Sequence, residues 1–271
     1  MEGSRDRALD VTSASVSAVG GRSANEDSLG ERVAACGSCY VVSDGAGGHF
    51  GGAVASQLVV EALLEEVARA AQFSPMVLEL GFARAARVLA ERKRHDSALS
   101  AMSATIAALL IDPEGQRAVF GHLGDSRILH FRSGALHSIT RDHSVVQRLV
   151  DAGFVPADRA AAHPNRNLLY GALGADGDTA PTITREAIVL SDGDAFLMCT
   201  DGFWGRIDNR RIEQSLRFAG AVAEWVDDMA GAIAQGLPAD ADNYTAIGVW
   251  IGSPADVTVT KATRPRASGI P

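Results

Sequence analysis

In the stretch VVSDGAGGHFGG, residues 41–52, a short apolar run is followed by an acid and then by a glycine-rich segment. Glycine-rich turns that follow strands often hold phosphate groups through backbone N–H groups. The turn begins with Asp44, however, and a carboxylate repels phosphate unless a cation lies between them. The stretch therefore raises two hypotheses: the turn binds a phosphate directly, or it binds a metal ion.

The glycine spacing disfavours a nucleotide loop. Glycines stand at positions 45, 47, 48, 51 and 52, which does not match G-x-G-x-x-G. The two lysines of the chain, Lys93 and Lys261, are not in a G-K-[ST] context, so a P-loop is excluded as well. Glycine allows the backbone to approach an ion closely, and the carbonyl of Gly45 is a candidate ligand.

Composition is that of a globular protein and narrows the function classes. Among 271 residues, 46% are hydrophobic and 21% charged, and the net charge of −8 argues against a general nucleic-acid or membrane-surface binder. No apolar run approaches the roughly 20 residues of a membrane span. The N-terminus lacks the apolar core of a signal peptide, so we expect a cytoplasmic location.

Three cysteines do not make a disulfide framework. Cys36 and Cys39 form a C-x-x-C pair that runs into a predicted strand, whereas redox dithiols usually open a helix, and no second ligand pair for zinc is visible. We interpret this pair as small residues near a strand start and not as a functional site.

Periodicity predicts helices that come in pairs and strands that come in hairpins. The segment after the glycine turn spaces its apolar residues as a helix, and Ser74 followed by Pro75 opens a second helix that extends to about Arg94. Four short strands then run from ATIAALLID to ALHSIT as an antiparallel meander joined by tight turns. A hairpin of TITREAIVL and AFLMCT, helices over 208–218 and 220–235, and the strand TAIGVWI follow. The pattern indicates one α+β domain over 14–252, with loosely ordered ends at 1–13 and 253–271.

Acids stand repeatedly where an apolar run stops. Asp44, Asp125 and Asp201 each end a predicted strand, and NED at 25–27 and DADN at 240–243 flank others. Aspartate and glycine are also ordinary turn residues, so one such acid says little. Carboxylates gathered at one sheet edge would raise each other's pKa unless divalent cations neutralise them, and hard cations such as Mg²⁺ and Mn²⁺ take oxygen ligands of this kind. Spacing alone leaves open whether these acids converge.

The motifs resemble, in order and over about residues 14–252, metal-dependent protein phosphatases of the PP2C type (the PPM family), in their bacterial branch. The matching pieces are RSANED, DGAGGH, MSAT, GDSR, TRDHS, HPNRNLLYGALG, CTDGFW and DNYTAI. The resemblance implies a four-layer αββα sandwich, two antiparallel sheets flanked by pairs of helices, with a two-metal site at one end. It also implies two Mn²⁺ or Mg²⁺ ions and a third, weaker site.

Residue roles carry over by position in these motifs. The resemblance implies that Asp44 bridges both metals, that Asp201 and Asp242 complete the first site, and that Glu26 and the Gly45 carbonyl complete the second. The resemblance further implies that Asp27 holds metal-bound waters and that Asp125, together with Asp201, binds the third metal. It also implies that Arg22 binds the substrate phosphate and that Asn243 orients Asp242 or a bound water.

The implied activity is hydrolysis of phosphoserine and phosphothreonine in proteins by direct attack of a metal-bridging hydroxide. Arg22 and the metals would neutralise the equatorial oxygens, and guanidinium suits this task through paired hydrogen bonds. No cysteine nucleophile is needed, which leaves Cys199 a core residue. Expected partners are phosphorylated proteins, including a cognate serine/threonine kinase by family analogy.

The sequence departs from the family pattern at two places. Eukaryotic relatives carry a histidine, the proposed general acid, where this chain has Ala46; His49 stands nearby, and the proton donor stays unassigned. The family more often has Met-Gly-Thr-Thr where this chain has MSAT, so Ser103 and Ala104 alter a strand beside the site. The segment from Val145 to Tyr170 corresponds to the flap beside the cleft, and its polarity suits a mobile element that contacts substrate.

Two other functions share this pattern. One is a catalytically silent phosphoprotein-binding scaffold on the same fold, which loss of a bridging acid would favour, and none is lost. The other is a metal-dependent hydrolase of small phosphoesters, which differs only at the cleft rim.

Overall fold

Two antiparallel sheets lie face to face in the computed structural model, which describes residues 8–47, 51–175, 177 and 179–252. The strands are β1 (Val11–Ala18), β2 (Asp27–Ala34), β3 (Gly37–Ala46), β4 (Ser103–Ala104), β5 (Ile106–Asp112), β6 (Arg117–Leu123), β7 (Arg127–Arg132), β8 (Ala135–Ile139), β9 (Thr182–Ile183), β10 (Ile188–Val189), β11 (Ala195–Cys199) and β12 (Tyr244–Ile251). The helices are α1 (Gly51–Arg69), α2 (Pro75–His95), α3 (Val145–Asp151), α4 (Asp201–Trp204), α5 (Asn209–Phe218) and α6 (Val222–Gln235), with short 3₁₀ helices at Ser97–Leu99 and Ala157–Ala162.

The two sheets differ in their number of strands, five in one and seven in the other. One has the strand order β1-β12-β11-β7-β8, and the other has the order β10-β6-β5-β3-β2, with β4 beside β3 and β9 beside β6. Their inner faces interdigitate through buried apolar side chains such as Val42, Leu109, Phe196 and Val249. This middle layer holds the two sheets together through apolar burial.

Helices cover both outer faces. α1 and α2 pack on the sheet that contains β3 and β5, where Leu63 and Phe82 are fully or almost fully buried. α5 and α6 pack on the other sheet around the fully buried Trp225, whose ring meets Phe131 edge to face at 5.6 Å. The predicted four-layer αββα arrangement is therefore confirmed.

The start of α2 follows the local signal in the sequence. Ser74 is the N-cap, its hydroxyl accepts a hydrogen bond from the Met76 amide at 3.1 Å, and Pro75 is the first helical residue. Since proline lacks the N–H that the first turn leaves unsatisfied, the pair suits a helix start. The helix ends at His95, one residue beyond the predicted end.

Two predicted strand connections were wrong. β6 and β7 do not pair, because the chain crosses from one sheet to the other at Gly124, whose φ of +108° only glycine adopts readily. TITREAIVL is not one arm of a hairpin: its two-residue strands β9 and β10 each pair with β6, whereas β11 pairs with β7 and β12. Both errors came from treating neighbours in sequence as neighbours in one sheet.

The N-terminal boundary also needs correction. β1 begins at Val11, which pairs with Ile251, so residues 11–13 are part of the sheet and not of a loosely ordered end. Residues 1–7 and 253–271 of the predicted ends lie outside the described residues, as does His49. Across the described ranges, no helix has the length and apolar character needed to cross a membrane.

Candidate active site

The register between β2 and β3 brings two of the predicted ligands together. Asp27 lies opposite Asp44, and residues opposite each other in a ladder point to the same face of the sheet. Gly45 follows directly and donates its N–H to the carbonyl of Glu26 at 3.1 Å. The Glu26 carboxylate lies against Gly52 at the start of α1, where an added Cβ would stand 2.6 Å from it. The NED and DGA motifs thus form one corner.

The backbone of Asp44 is held by Thr105, a residue for which the sequence motifs predicted no role. Thr105 accepts a hydrogen bond from the Asp44 amide at 2.9 Å and donates its own amide to the Asp44 carbonyl at 2.8 Å. Its hydroxyl also shares a 2.7 Å hydrogen bond with Ser126, the neighbour of Asp125. The last letter of MSAT therefore positions two acids at once.

The altered letters of MSAT do lie beside the site, as predicted. Ser103 pairs with Ala46 and Ala104 pairs with Gly45, so β4 continues the ladder at the end of β3. Ala46 itself is exposed at this end.

The remaining acids come from the other sheet. Asp201 is the first residue of α4, and Asp242 lies two residues before the start of β12. The two segments touch at Gly202, where an added Cβ would stand 1.9 Å from the Asn243 carbonyl. Arg22 reaches Asp242 with a 2.9 Å ion pair.

Asn243 does more than was predicted for it. Its side-chain amide donates to the carbonyls of Val19 and Ala24 at 2.8 and 2.9 Å, and its side-chain oxygen accepts the Glu26 amide at 2.8 Å. The contact with Asp242 is made by the Asn243 backbone amide at 2.9 Å. The Asn243 side chain thus fixes the loop that carries Arg22 and Glu26.

Two buried threonines hold Asp27. Thr200 donates its hydroxyl to Asp27 at 2.9 Å, and Thr245 donates its amide to the Thr200 hydroxyl at 3.1 Å. Burial raises the pKa of Asp27 to about 7, and Asp201 and Asp242 add to this, while hydrogen bonds from the two threonines lower it. Neither threonine was a candidate from the sequence, although Thr200 directly precedes Asp201.

The other acids repel one another in the same way. Burial raises the pKa of Asp44 well above its usual value, and the charges of Asp27, Asp201, Asp125 and Asp242 raise it further. Burial raises the pKa of Asp125 to about 8, with Asp201 the next cause. The pKa of Asp201 is raised by burial and then by Asp242. These five acids therefore share one region, which answers the question that spacing left open.

The acids of this region have the chemistry of cation ligands, but they do not form a complete coordination site. Among the described residues, no group of three or more Asp, Glu, His or Cys side chains is arranged, as it stands, to hold a metal ion. The mutual repulsion is nevertheless the condition that bound divalent cations relieve, and carboxylates and carbonyls are the ligands that Mg²⁺ and Mn²⁺ prefer. The residues present therefore fit a hard metal ion.

A family model described as "Protein phosphatase 2C" matches residues 17–237. The chain belongs to the protein phosphatase 2C family. The serine/threonine protein phosphatase PstP of Mycobacterium tuberculosis is 35% identical over 201 residues, which cover 72% of this chain and 37% of PstP. Protein phosphatase PhpP of Streptococcus pneumoniae is 28% identical over 70% of this chain and 78% of its own length.

Solved structures agree with this assignment. The crystal structure of the catalytic domain of PstP, in complex with 2 manganese ions, superposes with a TM-score of 0.78 at 29% identity and covers 90% of this chain and 100% of that one. This member of the protein phosphatase 2C family spans 37% of the length of the mycobacterial relative that it matches in sequence.

The cysteines stay outside the site. Cys36 and Cys39 are buried and unpaired, and burial raises the pKa of both thiols. Cys199 is fully buried, and burial raises its pKa to about 12. Thiols with raised pKa values are poor nucleophiles and poor metal ligands, and the burial of Cys199 agrees with the prediction that it is a core residue.

Proposed function

We propose that this chain is a metal-dependent protein serine/threonine phosphatase that hydrolyses phosphoserine and phosphothreonine. The observation that carries the proposal is the convergence of five acids from both sheets, bordered by Arg22, in a member of the protein phosphatase 2C family. Phosphorylated proteins are the proposed substrates, and a cognate kinase is among them. The cytoplasm stays the predicted compartment.

The proposed metal set is Mn²⁺ or Mg²⁺ in two sites, with a third and weaker one. When bound, these ions supply Lewis acidity, neutralise phosphoryl charge and lower the pKa of a water molecule. The proposed holders are Asp44 for both main sites, Asp201 and Asp242 for the first, Glu26 and the Gly45 carbonyl for the second, Asp27 through waters, and Asp125 with Asp201 for the third.

Arg22 is the proposed phosphate-binding residue. Its side chain is 55% exposed, and one of its nitrogens holds Asp242. A guanidinium has five N–H donors in a planar fork, so several donors stay available for phosphate oxygens. The ion pair with Asp242 would keep this fork at the edge of the acidic cluster.

Asp27 can hold a water molecule in the cluster. Thr200 and Thr245 hydrogen-bond its carboxylate, whose two oxygens together offer about four acceptor positions, so acceptor capacity is left for water. Ala46 offers no proton, so the leaving serine or threonine oxygen must take its proton from another group.

Phosphate release from a phosphothreonine peptide tests this proposal. Purified protein should release phosphate with Mn²⁺ and not without it, and Asp44→Asn should abolish release. Asp240→Asn is the matched control, because Asp240 is an exposed acid of the same DADN motif. A folded protein that releases nothing with any divalent ion would instead favour the phosphoprotein-binding scaffold. Faster hydrolysis of p-nitrophenyl phosphate than of phosphopeptides would favour the small-phosphoester hydrolase.

A further inference from the structure

A partly buried ion pair lies where the predicted flap joins the domain. Arg127, at the start of β7, donates from two nitrogens to the two oxygens of Asp142, both at 2.8 Å. The Asp142 side chain is only 9% exposed. Paired hydrogen bonds between guanidinium and carboxylate fix orientation as well as distance. The pair therefore sets the position of Asp142, which lies three residues before Val145, where α3 and the flap segment (residues 145–170) begin.

The base of the flap segment is tied to the same place by backbone hydrogen bonds. His143 donates its amide to the Gly124 carbonyl at 2.9 Å, and Tyr170 donates its amide to the His143 carbonyl at 2.9 Å. Val145 donates its amide to the Leu168 carbonyl at 2.8 Å. Both ends of the flap segment thus meet beside Asp142.

A tryptophan connects this base to the acidic cluster. The guanidinium carbon of Arg127 lies 3.4 Å from the centre of the Trp204 ring, a close cation–π contact. The Trp204 ring nitrogen donates to the Asp125 carbonyl at 2.9 Å. Trp204 itself ends α4, the short helix that begins with Asp201.

We propose that Arg127, Asp142 and Trp204 act as one positioning unit, which fixes Asp125 beside Asp201 and anchors the base of the flap segment at the same point. None of the three is proposed to touch the substrate. The metal part of this inference rests on the proposed function, since it takes Asp125 as a ligand of the weakest site. The anchoring part stands on the contacts alone.

The chain contains a matched pair for comparison. Arg132, at the other end of β7, makes the same paired contact with Asp194 at 2.8 and 2.6 Å. Asp194 precedes β11, at the strand end far from Asp201, and its side chain is fully buried. Arg132→Lys therefore disturbs an equivalent pair that touches neither the flap segment nor the acidic cluster.

The test compares Arg127→Lys, Trp204→Phe and Arg132→Lys in two measurements. The first is amide hydrogen exchange at Val145 and Tyr170 in metal-free protein. The second is calorimetric titration of each protein with Mn²⁺. Neither measurement requires turnover.

We expect Arg127→Lys to speed exchange at both amides about tenfold, because lysine cannot make the paired contact, and to weaken the weakest Mn²⁺ site by about tenfold. Trp204→Phe keeps a ring over Arg127 but loses the hydrogen bond to Asp125, so it should weaken that site while exchange changes less than about twofold. Arg132→Lys should change neither.

Equal effects of Arg127→Lys and Arg132→Lys in both measurements would contradict the proposed positioning unit. The ion pair of Arg127 with Asp142 would then be an ordinary structural contact. Should Arg127→Lys fail to fold, unaltered Mn²⁺ binding by Trp204→Phe would overturn the link to Asp125. Failure of the proposed function appears separately, as wild-type protein that neither binds Mn²⁺ nor releases phosphate, and exchange in the metal-free protein then still decides the anchoring.

Discussion

Asp27 and Asp44 lie directly opposite each other in the ladder between β2 and β3, so two acids face the same crowded region. Like charges in opposite positions destabilise a sheet, and burial adds to the cost. The metal-free fold therefore carries a repulsion at the place where the proposed chemistry occurs. The first prediction follows from this pair.

Asp44→Asn should stabilise the metal-free protein and abolish metal-dependent activity. The pKa of Asp44 is raised in the folded state, so its ionised form lowers the free energy of unfolding as pH rises above the unfolded value of about 3.9. Removing that charge should raise the Tm at pH 8 by about 2–4 °C for each kcal/mol regained, and less at pH 5. Thermal unfolding with and without Mn²⁺ measures this, with Asp240→Asn as control. A lower Tm without metal would contradict the prediction.

His122 should make the protein sensitive to acid. The Nε2 atom of His122 hydrogen-bonds the Arg141 carbonyl at 2.7 Å, while its buried Nδ1 has no partner among the described residues. Burial lowers its pKa to about 4, so the unfolded chain binds the proton more readily between pH 6.5 and 4. The free energy of unfolding therefore has its full contribution from neutral His122 above pH 6.5. That contribution falls by up to about 3 kcal/mol as the pH drops from 6.5 through 4.

Denaturant unfolding between pH 4 and 7 checks this effect. His122→Gln should flatten the pH dependence, whereas His95→Gln, at the exposed end of α2, should leave it unchanged. Identical pH slopes for wild type and His122→Gln would rule out the assignment.

Arg22→Lys should raise KM for a phosphothreonine peptide by roughly tenfold. Lysine keeps the charge but cannot offer paired donors to a phosphate, and a hydrogen bond to a charged group contributes about 1.5–3 kcal/mol. The half-exposed position of Arg22 means that stability should change by less than about 0.5 kcal/mol. Steady-state kinetics alongside Arg32→Lys, an exposed arginine on β2, gives the comparison. A KM equal to that of wild type would remove Arg22 from phosphate binding.

Gly45→Ala should disrupt the site, and Gly231→Ala should not. An added Cβ at Gly45 would stand 2.0 Å from the carbonyl oxygen of Gly52, a backbone atom that cannot move aside as a flexible side chain could. Gly231 is an exposed residue within α6 with nothing within 4 Å of an added Cβ, so alanine there should stabilise the helix by about 1 kcal/mol. Chemical denaturation of both variants tests this, and a Gly45→Ala protein as stable as wild type would show that the contact is not tight.

Much of the fold was predictable because its signals are local. Helix caps such as Ser74 and alternating strand residues act over a few positions, and the structure follows them closely. The predicted meander and the TITREAIVL hairpin failed because nothing local at Gly124 or near Asp194 says to which sheet the next strand belongs. NED was expected to flank a strand, but the extents of β1 and β2 were not predicted, since their sequences hold few large apolar residues.

The acids of the site could be named because they stand at strand ends within ordered motifs. The residues that hold them could not. Thr105 and Thr200 look like ordinary strand residues, and their hydrogen bonds to Asp44 and Asp27 depend on strand pairing. The contact of Arg127 with Trp204 joins positions far apart in the chain.

The amino-acid sequence establishes which chemical groups are present and where many helices, strands and turns begin and end. It placed carboxylates at strand ends, glycines where backbones must meet, and family motifs in order. Which of these groups face each other is known only from the folded chain: Asp27 faces Asp44, Arg22 faces Asp242, and Arg127 faces Asp142. Helix caps and turns depend on interactions between residues that are close in sequence. The contacts named above join residues that are distant in sequence, so they depend on strand register and on how the two sheets pack.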